Sequence, residues 1–161
     1  MSRRRRAGLT MVLALLLGAC ATPLPPPVAG QERWSGRLAL QVESDPPRSY
    51  SAGFELLGSP QAGELQLTSP LGQTLASVRW SPQGAELLQG QQRLQRASLD
   101  ELTAELTGTA LPVAALFSWL RGQDAAAGGW VADLSRQADG RLSARREQPL
   151  PQAQLRIVFQ P

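Results

Sequence analysis

Histidine and lysine are absent from this 161-residue chain, and cysteine occurs once, at position 20. Without histidine there is no Ser-His-Asp or Cys-His catalytic pair and no HExxH zinc site. A single cysteine excludes an internal disulfide, a CxxC redox centre and a thiolate metal cluster. The carboxylates do not suggest an acid/base pair either. Asp100 and Glu101 fall in the first turn of a predicted helix, where the helix dipole favours acidic residues. We therefore predict a protein that is not an enzyme and has no cofactor or metal.

Long apolar runs are also missing, apart from one of 11 residues at 9–19. It is too short to span a bilayer, which takes about 20 apolar residues. Because Arg3, Arg4, Arg5 and Arg6 precede it and small residues follow, it is typical of a secretory signal peptide, predicted here as residues 1–19. A buried amphipathic helix would need a polar face, and this run has none.

The segment Leu17-Gly18-Ala19-Cys20 resembles a bacterial lipobox, which predicts a lipid on the sulfur of Cys20. The alternative is an ordinary signal peptidase site with an incidental cysteine. Lipidation would fix the mature protein to a membrane, since two acyl chains already suffice for stable anchoring. By resemblance to Gram-negative lipoproteins, Ala21 after the cysteine indicates the outer membrane.

The net charge of +3 changes when the leader is removed. All four arginines of the leader leave with it, so 12 arginines face 13 acidic residues in the mature chain. The basic character belongs to the precursor, and we predict no nucleic-acid partner. The proline-rich residues 20–30 indicate an extended tether, and residues 31–161 are predicted to form one domain and a monomer.

Period-two alternation recurs through that domain, with turns every six to twelve residues. It predicts strands near 34–42, 50–56, 64–68, 74–80, 85–89, 93–97, 130–135, 141–146 and 152–160. Two helices interrupt them: one begins after a capping box at Ser98 and ends near Gly108, and a second runs from Pro112 toward Gly122. Arg145 and Arg146 are interpreted as a solvated strand end.

Eight or nine strands and two helices favour a mainly β (α+β) fold. We expect a curved antiparallel sheet that forms an incomplete β-barrel, covered by a helical lid over a hydrophobic cavity. Such cavities are apolar and concave with few polar groups. The candidates to line this one are Trp34, Leu38, Leu40, Phe54, Leu56, Leu65, Leu67, Leu116, Phe117, Trp119, Leu120 and Trp130. Sequence alone does not separate a hollow interior from a filled core.

Leu71 stands out because a large aliphatic residue lies in a turn between Pro70 and Gly72. It either folds back into the core or forms a hydrophobic tip that touches a membrane or a lipidated client.

Several motifs, taken in order, resemble the LolB family of outer-membrane lipoprotein receptors in the Lol localisation pathway. They are the lipobox, Trp34-Ser35-Gly36-Arg37-Leu38-Ala39-Leu40, Leu67-Thr68-Ser69-Pro70-Leu71-Gly72, Leu106-Thr107-Gly108 with Leu111-Pro112, Trp119-Leu120-Arg121-Gly122, and Gly129-Trp130-Val131. The resemblance implies an incomplete β-barrel with a helical lid.

It further implies that the protein takes lipoproteins from a LolA-like periplasmic carrier. It would insert their acyl chains into the inner leaflet of the outer membrane, without nucleotide or catalysis. The loop Pro70-Leu71-Gly72 matches the protruding loop that the family uses for insertion. The alternatives are a structural outer-membrane scaffold, a generic lipid-binding lipoprotein, or a lipid-modifying enzyme for which no carboxylate can be nominated.

Overall fold

A computed structural model describes residues 31–160, and this part of the chain forms one sheet and two helices. The predicted signal peptide and tether, with Cys20, lie outside the described residues. The nine strands are β1 (Glu32–Val42), β2 (Arg48–Gly58), β3 (Gly63–Thr68), β4 (Thr74–Ser81), β5 (Gly84–Gln89), β6 (Gln92–Arg96), β7 (Trp130–Asp133), β8 (Arg141–Arg146) and β9 (Ala153–Phe159).

Every pair of neighbouring strands is antiparallel, in the order β6-β5-β4-β3-β2-β1-β9-β8-β7. The chain runs as a meander from β1 to β6, and the last three strands add to the free side of β1. The edge strands β6 and β7 do not pair with each other, so the curved sheet stays unclosed. The predicted fold class is confirmed.

The helices are α1 (Leu99–Thr107) and α2 (Val113–Leu120). The Ser98 side chain accepts a hydrogen bond from the Glu101 backbone N–H and thereby caps α1, as the capping motif predicts. Gly108 ends this helix in the left-handed conformation, with φ of 82°, where a side chain would be strained. Pro112 precedes α2 and supplies a fixed φ at its start.

Alternation along the strands separates the two faces of the sheet. Apolar side chains of one face form the core with α2, while the other face carries exposed ion pairs such as Arg33 with Glu55 and Arg79 with Glu64. Exposed pairs of this kind contribute little to stability. The apolar surface of the sheet therefore lies on its concave face.

Three hairpin loops project toward the same end of the sheet, as the strand directions require. They are residues 43–47 between β1 and β2, 69–73 between β3 and β4, and 147–152 between β8 and β9; we call this the loop end. The chain enters β1 at Glu32, at the opposite end. Neither helix in the described range 31–160 has the length and apolar character that a membrane span requires.

Candidate functional site

The interior surface is built from inward-facing strand residues and from six of the eight residues of α2. Phe117, Trp119 and Leu120 have no exposed surface, nor does Leu56 opposite them in the sheet. The Phe117 ring packs edge-on against Trp80, with the ring centroids 6.3 Å apart. An eight-residue helix with six buried residues is held by tertiary packing more than by its own hydrogen bonds.

All twelve residues nominated for a cavity lie in one apolar cluster or pack against it. Nine are buried, and Trp34, Leu38 and Leu67 are partly buried. Sequence reasoning did not nominate Leu142, Leu155 and Ile157, which are also buried there; the alternation in β9 already placed the last two on one face. The structure brings these side chains together, and lipid binding among them stays a prediction.

Three hydrogen bonds hold α2 and the loops beside it, and an ion pair between Arg121 and Glu32 joins the end of α2 to the start of β1. Trp119 Nε1 donates to the Ala125 carbonyl at 3.2 Å, and Trp130 Nε1 donates to the Ala110 carbonyl at 3.1 Å. Gln137 Nε2 donates to the carbonyl of Leu120 at the end of the helix, at 2.6 Å. A movement of α2 away from the sheet would break the Gln137 bond and the Arg121–Glu32 pair and would expose the six buried side chains of the helix.

A partly open cavity of about 270 Å³ lies beside the start of α2. Small and apolar residues of the flanking loops dominate its wall, which includes Ala110, Leu111, Pro112, Ala126, Ala127 and Trp130. Because Trp130 belongs both to this wall and to the apolar cluster, the cavity borders the interior that the twelve candidates form.

Arg146 corrects the interpretation of the Arg145-Arg146 pair as a solvated strand end. Arg145 is exposed, but Arg146 faces inward with 5% of its surface exposed. Its guanidinium carbon lies 5.9 Å from the Trp130 ring centroid, and its Nη2 donates to the Pro151 carbonyl at 3.3 Å. Its Nε is buried without a partner, and burial lowers the pKa of Arg146, although arginine stays protonated in proteins.

Leu71 projects from the loop between β3 and β4 and is 88% exposed. The loop is closed by backbone bonds between Ser69 and Gln73 and between Gly72 and Ser69, at 2.8 and 2.9 Å. The Ser69 hydroxyl also accepts from the N–H groups of Leu71 and Gln73, at 3.3 and 3.2 Å. The side chain therefore stands out from a well-bonded turn instead of folding back into the core.

Comparison with known proteins identifies the family. A family model described as "Outer membrane lipoprotein LolB" matches residues 32–160. This chain belongs to the LolB family. The match starts at the first residue of β1 and ends just after β9, so it covers all the described strands and both helices.

Curated relatives carry the same name, Outer-membrane lipoprotein LolB. The Cupriavidus necator protein is 36% identical over 152 residues, which cover 89% of this chain and 76% of that protein. The Bordetella parapertussis protein is 36% identical over 178 aligned residues, which cover 94% of this chain and 89% of that protein. The Thiobacillus denitrificans protein is 36% identical over 125 residues, covering 73% of this chain and 66% of the relative. The predicted family and outer-membrane, lipid-anchored localisation are confirmed.

Proposed function

We propose that this LolB-family lipoprotein receives client lipoproteins from a LolA-like periplasmic carrier and inserts their acyl chains into the inner leaflet of the outer membrane. One observation supports this most directly, namely the 88% exposure of Leu71 on a hydrogen-bonded turn. An exposed leucine at the tip of an uncharged loop suits contact with hydrocarbon. We propose Cys20 as the lipidated anchor of the mature chain.

The apolar interior would hold the acyl chains during transfer. Because the candidate side chains pack against one another, space for a chain requires α2 and its flanking loops to move off the sheet. Such an opening would break few polar contacts, chiefly those of Gln137 and Arg121, but it would expose the buried side chains of α2, so the incoming acyl chain would have to cover that apolar surface. Trp34, Leu38 and Leu67, which are partly buried, would line the rim of the opened space.

The direction of transfer would follow from a difference in affinity. Each methylene removed from water is worth about 0.8 kcal/mol, so small differences in how fully carrier, receptor and bilayer bury the chains suffice. No nucleotide and no catalytic step enter this scheme.

The test uses the full chain anchored in vesicles and a carrier loaded with labelled lipoprotein. We expect Leu71→Glu to abolish insertion of the label into the vesicles while the variant still accepts it from the carrier. Val158→Glu is the matched control, since Val158 is 52% exposed but lies on the outer face of β9, in neither loop. Normal insertion by Leu71→Glu would refute the assignment of this loop.

A scaffolding lipoprotein is the second candidate, and the dense packing of the interior favours it. The two functions differ in what a fluorescent fatty acid does. A receptor binds the fatty acid, and an added lipoprotein competes with it for the site. A scaffold with a permanently closed core does not bind the fatty acid.

A further inference from the structure

A second exposed leucine lies at the loop end of the sheet. Leu150 is 67% exposed in the loop between β8 and β9, where Pro149 and Pro151 flank it. Its loop and the Leu71 loop are both hairpin connections at the same end of the sheet. Both present one aliphatic side chain next to proline, in the uncharged stretches 69–73 and 148–152.

The fold holds this second loop in place from two sides. The buried guanidinium of Arg146 donates to the Pro151 carbonyl at 3.3 Å. On the other side Gly129 packs so closely that a Cβ atom there would collide with the Gln148 carbonyl oxygen. The loop is therefore fixed against Trp130 and its neighbours, and Leu150 stays exposed at its tip.

We infer that Leu150 is a second membrane contact, which enters the lipid surface together with Leu71. The inference rests on the proposed function, because it assumes that the loop end meets the bilayer during insertion. The occupant is a bilayer and not another protein, since a lipid-anchored protein always has the membrane within reach of its tether. In the strand order, the hairpin loop of residues 43–47 lies between the loops that carry the two leucines.

The charges around the two tips indicate which force holds them at the membrane. Glu43, Asp45 and Glu147 are matched in part by Arg48 and Arg145, so the loop end has no excess of positive charge. Electrostatic attraction to anionic lipid is thus not built into this surface, and burial of the two leucines is what favours contact.

The chain allows a direct test, because Cys20 is its only cysteine and its sulfur carries the lipid in the anchored protein. Leu150→Cys, Leu71→Cys and Val158→Cys then each supply one free thiol for an environment-sensitive fluorophore. Val158 is the matched control, since it is 52% exposed on the outer face of β9, near the end of that strand that is farther from the Leu150 loop. Each labelled chain is anchored in phosphatidylethanolamine vesicles that contain spin-labelled lipid.

We expect the spin label to quench the fluorophore at positions 150 and 71 and to leave the one at position 158 unaffected. Quenching at 71 but not at 150 overturns the second contact and leaves the proposed function intact. Quenching at neither position overturns both. As a functional readout, Leu150→Glu should slow client insertion about tenfold, the order expected for losing a buried leucine, with Val158→Glu unchanged.

Discussion

At the scale of single residues, the carboxylate of Glu64 on the outer face of β3 offers a defined pH effect. The Ser77 hydroxyl donates to Glu64 Oε1 at 2.6 Å, and Arg79 Nε lies 3.3 Å from Oε2. The Ser77 hydrogen bond, followed by the effects of Arg79, lowers the pKa of Glu64, although burial opposes the shift. A carboxylate with a lowered folded-state pKa stabilises the fold above its unfolded pKa and loses that contribution as the pH falls through the folded value.

We therefore predict that Ser77→Ala destabilises the protein by about 1 kcal/mol at pH 7, as expected for one lost hydrogen bond. The difference from the parent should shrink when the pH falls below the usual glutamate pKa of about 4.3, because protonated Glu64 no longer benefits from the donor. Urea unfolding at pH 7 and pH 3 measures both values. An equal difference at the two pH values would contradict the role assigned to Ser77.

Two residues show how far sequence reasoning extends at this scale. Arg146 follows the same alternation in β8 as the buried Leu142 and Ala144, so this alternation predicts that its side chain faces inward. The neighbouring Arg145 suggested a solvated pair instead. For Leu71 no periodicity applies, because its exposure depends on the hydrogen bonds that Ser69 makes across the loop.

At the scale of elements, α1 depends on its first turn. It covers β5 and the edge strand β6, and the Ser98 side chain satisfies one of its free N–H groups. We predict that Ser98→Ala lowers the free energy of unfolding by about 1 kcal/mol, because the Glu101 N–H then lacks that acceptor. Ser49→Ala on the exposed face of β2 should change it by less than about 0.5 kcal/mol. Equal effects of the two changes in urea unfolding would show that the cap does not matter.

Most element boundaries follow from the sequence to within two residues, because alternation and caps act locally. The strand predicted for 130–135 is two residues too long at its C-terminal end, since β7 ends at Asp133. There the Asp133 carboxylate accepts from the Ser135 N–H at 3.0 Å, and a short 3-10 turn follows at Gln137–Asp139. An aspartate that bonds the backbone two residues on favours a turn over a strand.

At the scale of the whole molecule, the chain enters the described domain at the end of the sheet opposite to the loop end. The chain enters the sheet at Glu32, whereas the Leu150 loop lies beside the far end of β1 and the Leu71 loop begins level with its middle. The 11 residues of β1 span about 36 Å at roughly 3.3 Å per residue. Hydrophobic periodicity and composition do not predict where the loops lie relative to the start of β1, because their positions depend on which strands pair.

The proline-rich segment before Glu32 is long enough to bridge that distance. The 12 residues from Cys20 to Gln31 would reach about 37 Å if extended at roughly 3.1 Å per residue. With the predicted tether extended to this length, the domain would be able to turn its loop end toward the membrane that holds the proposed anchor at Cys20.

We predict that deletion of residues 22–29 slows client insertion to the level of Leu71→Glu, because the remaining segment reaches only about 12 Å. Uptake of the client from the carrier should not change, since the interior is untouched. Replacement of the same eight residues by a scrambled order of equal length is the control and should insert normally. The measurement follows labelled lipoprotein into vesicles that carry the anchored chain. If the shortened chain inserts clients as fast as the parent, the loop end does not need the reach of the tether, and the domain must meet the bilayer along a different face.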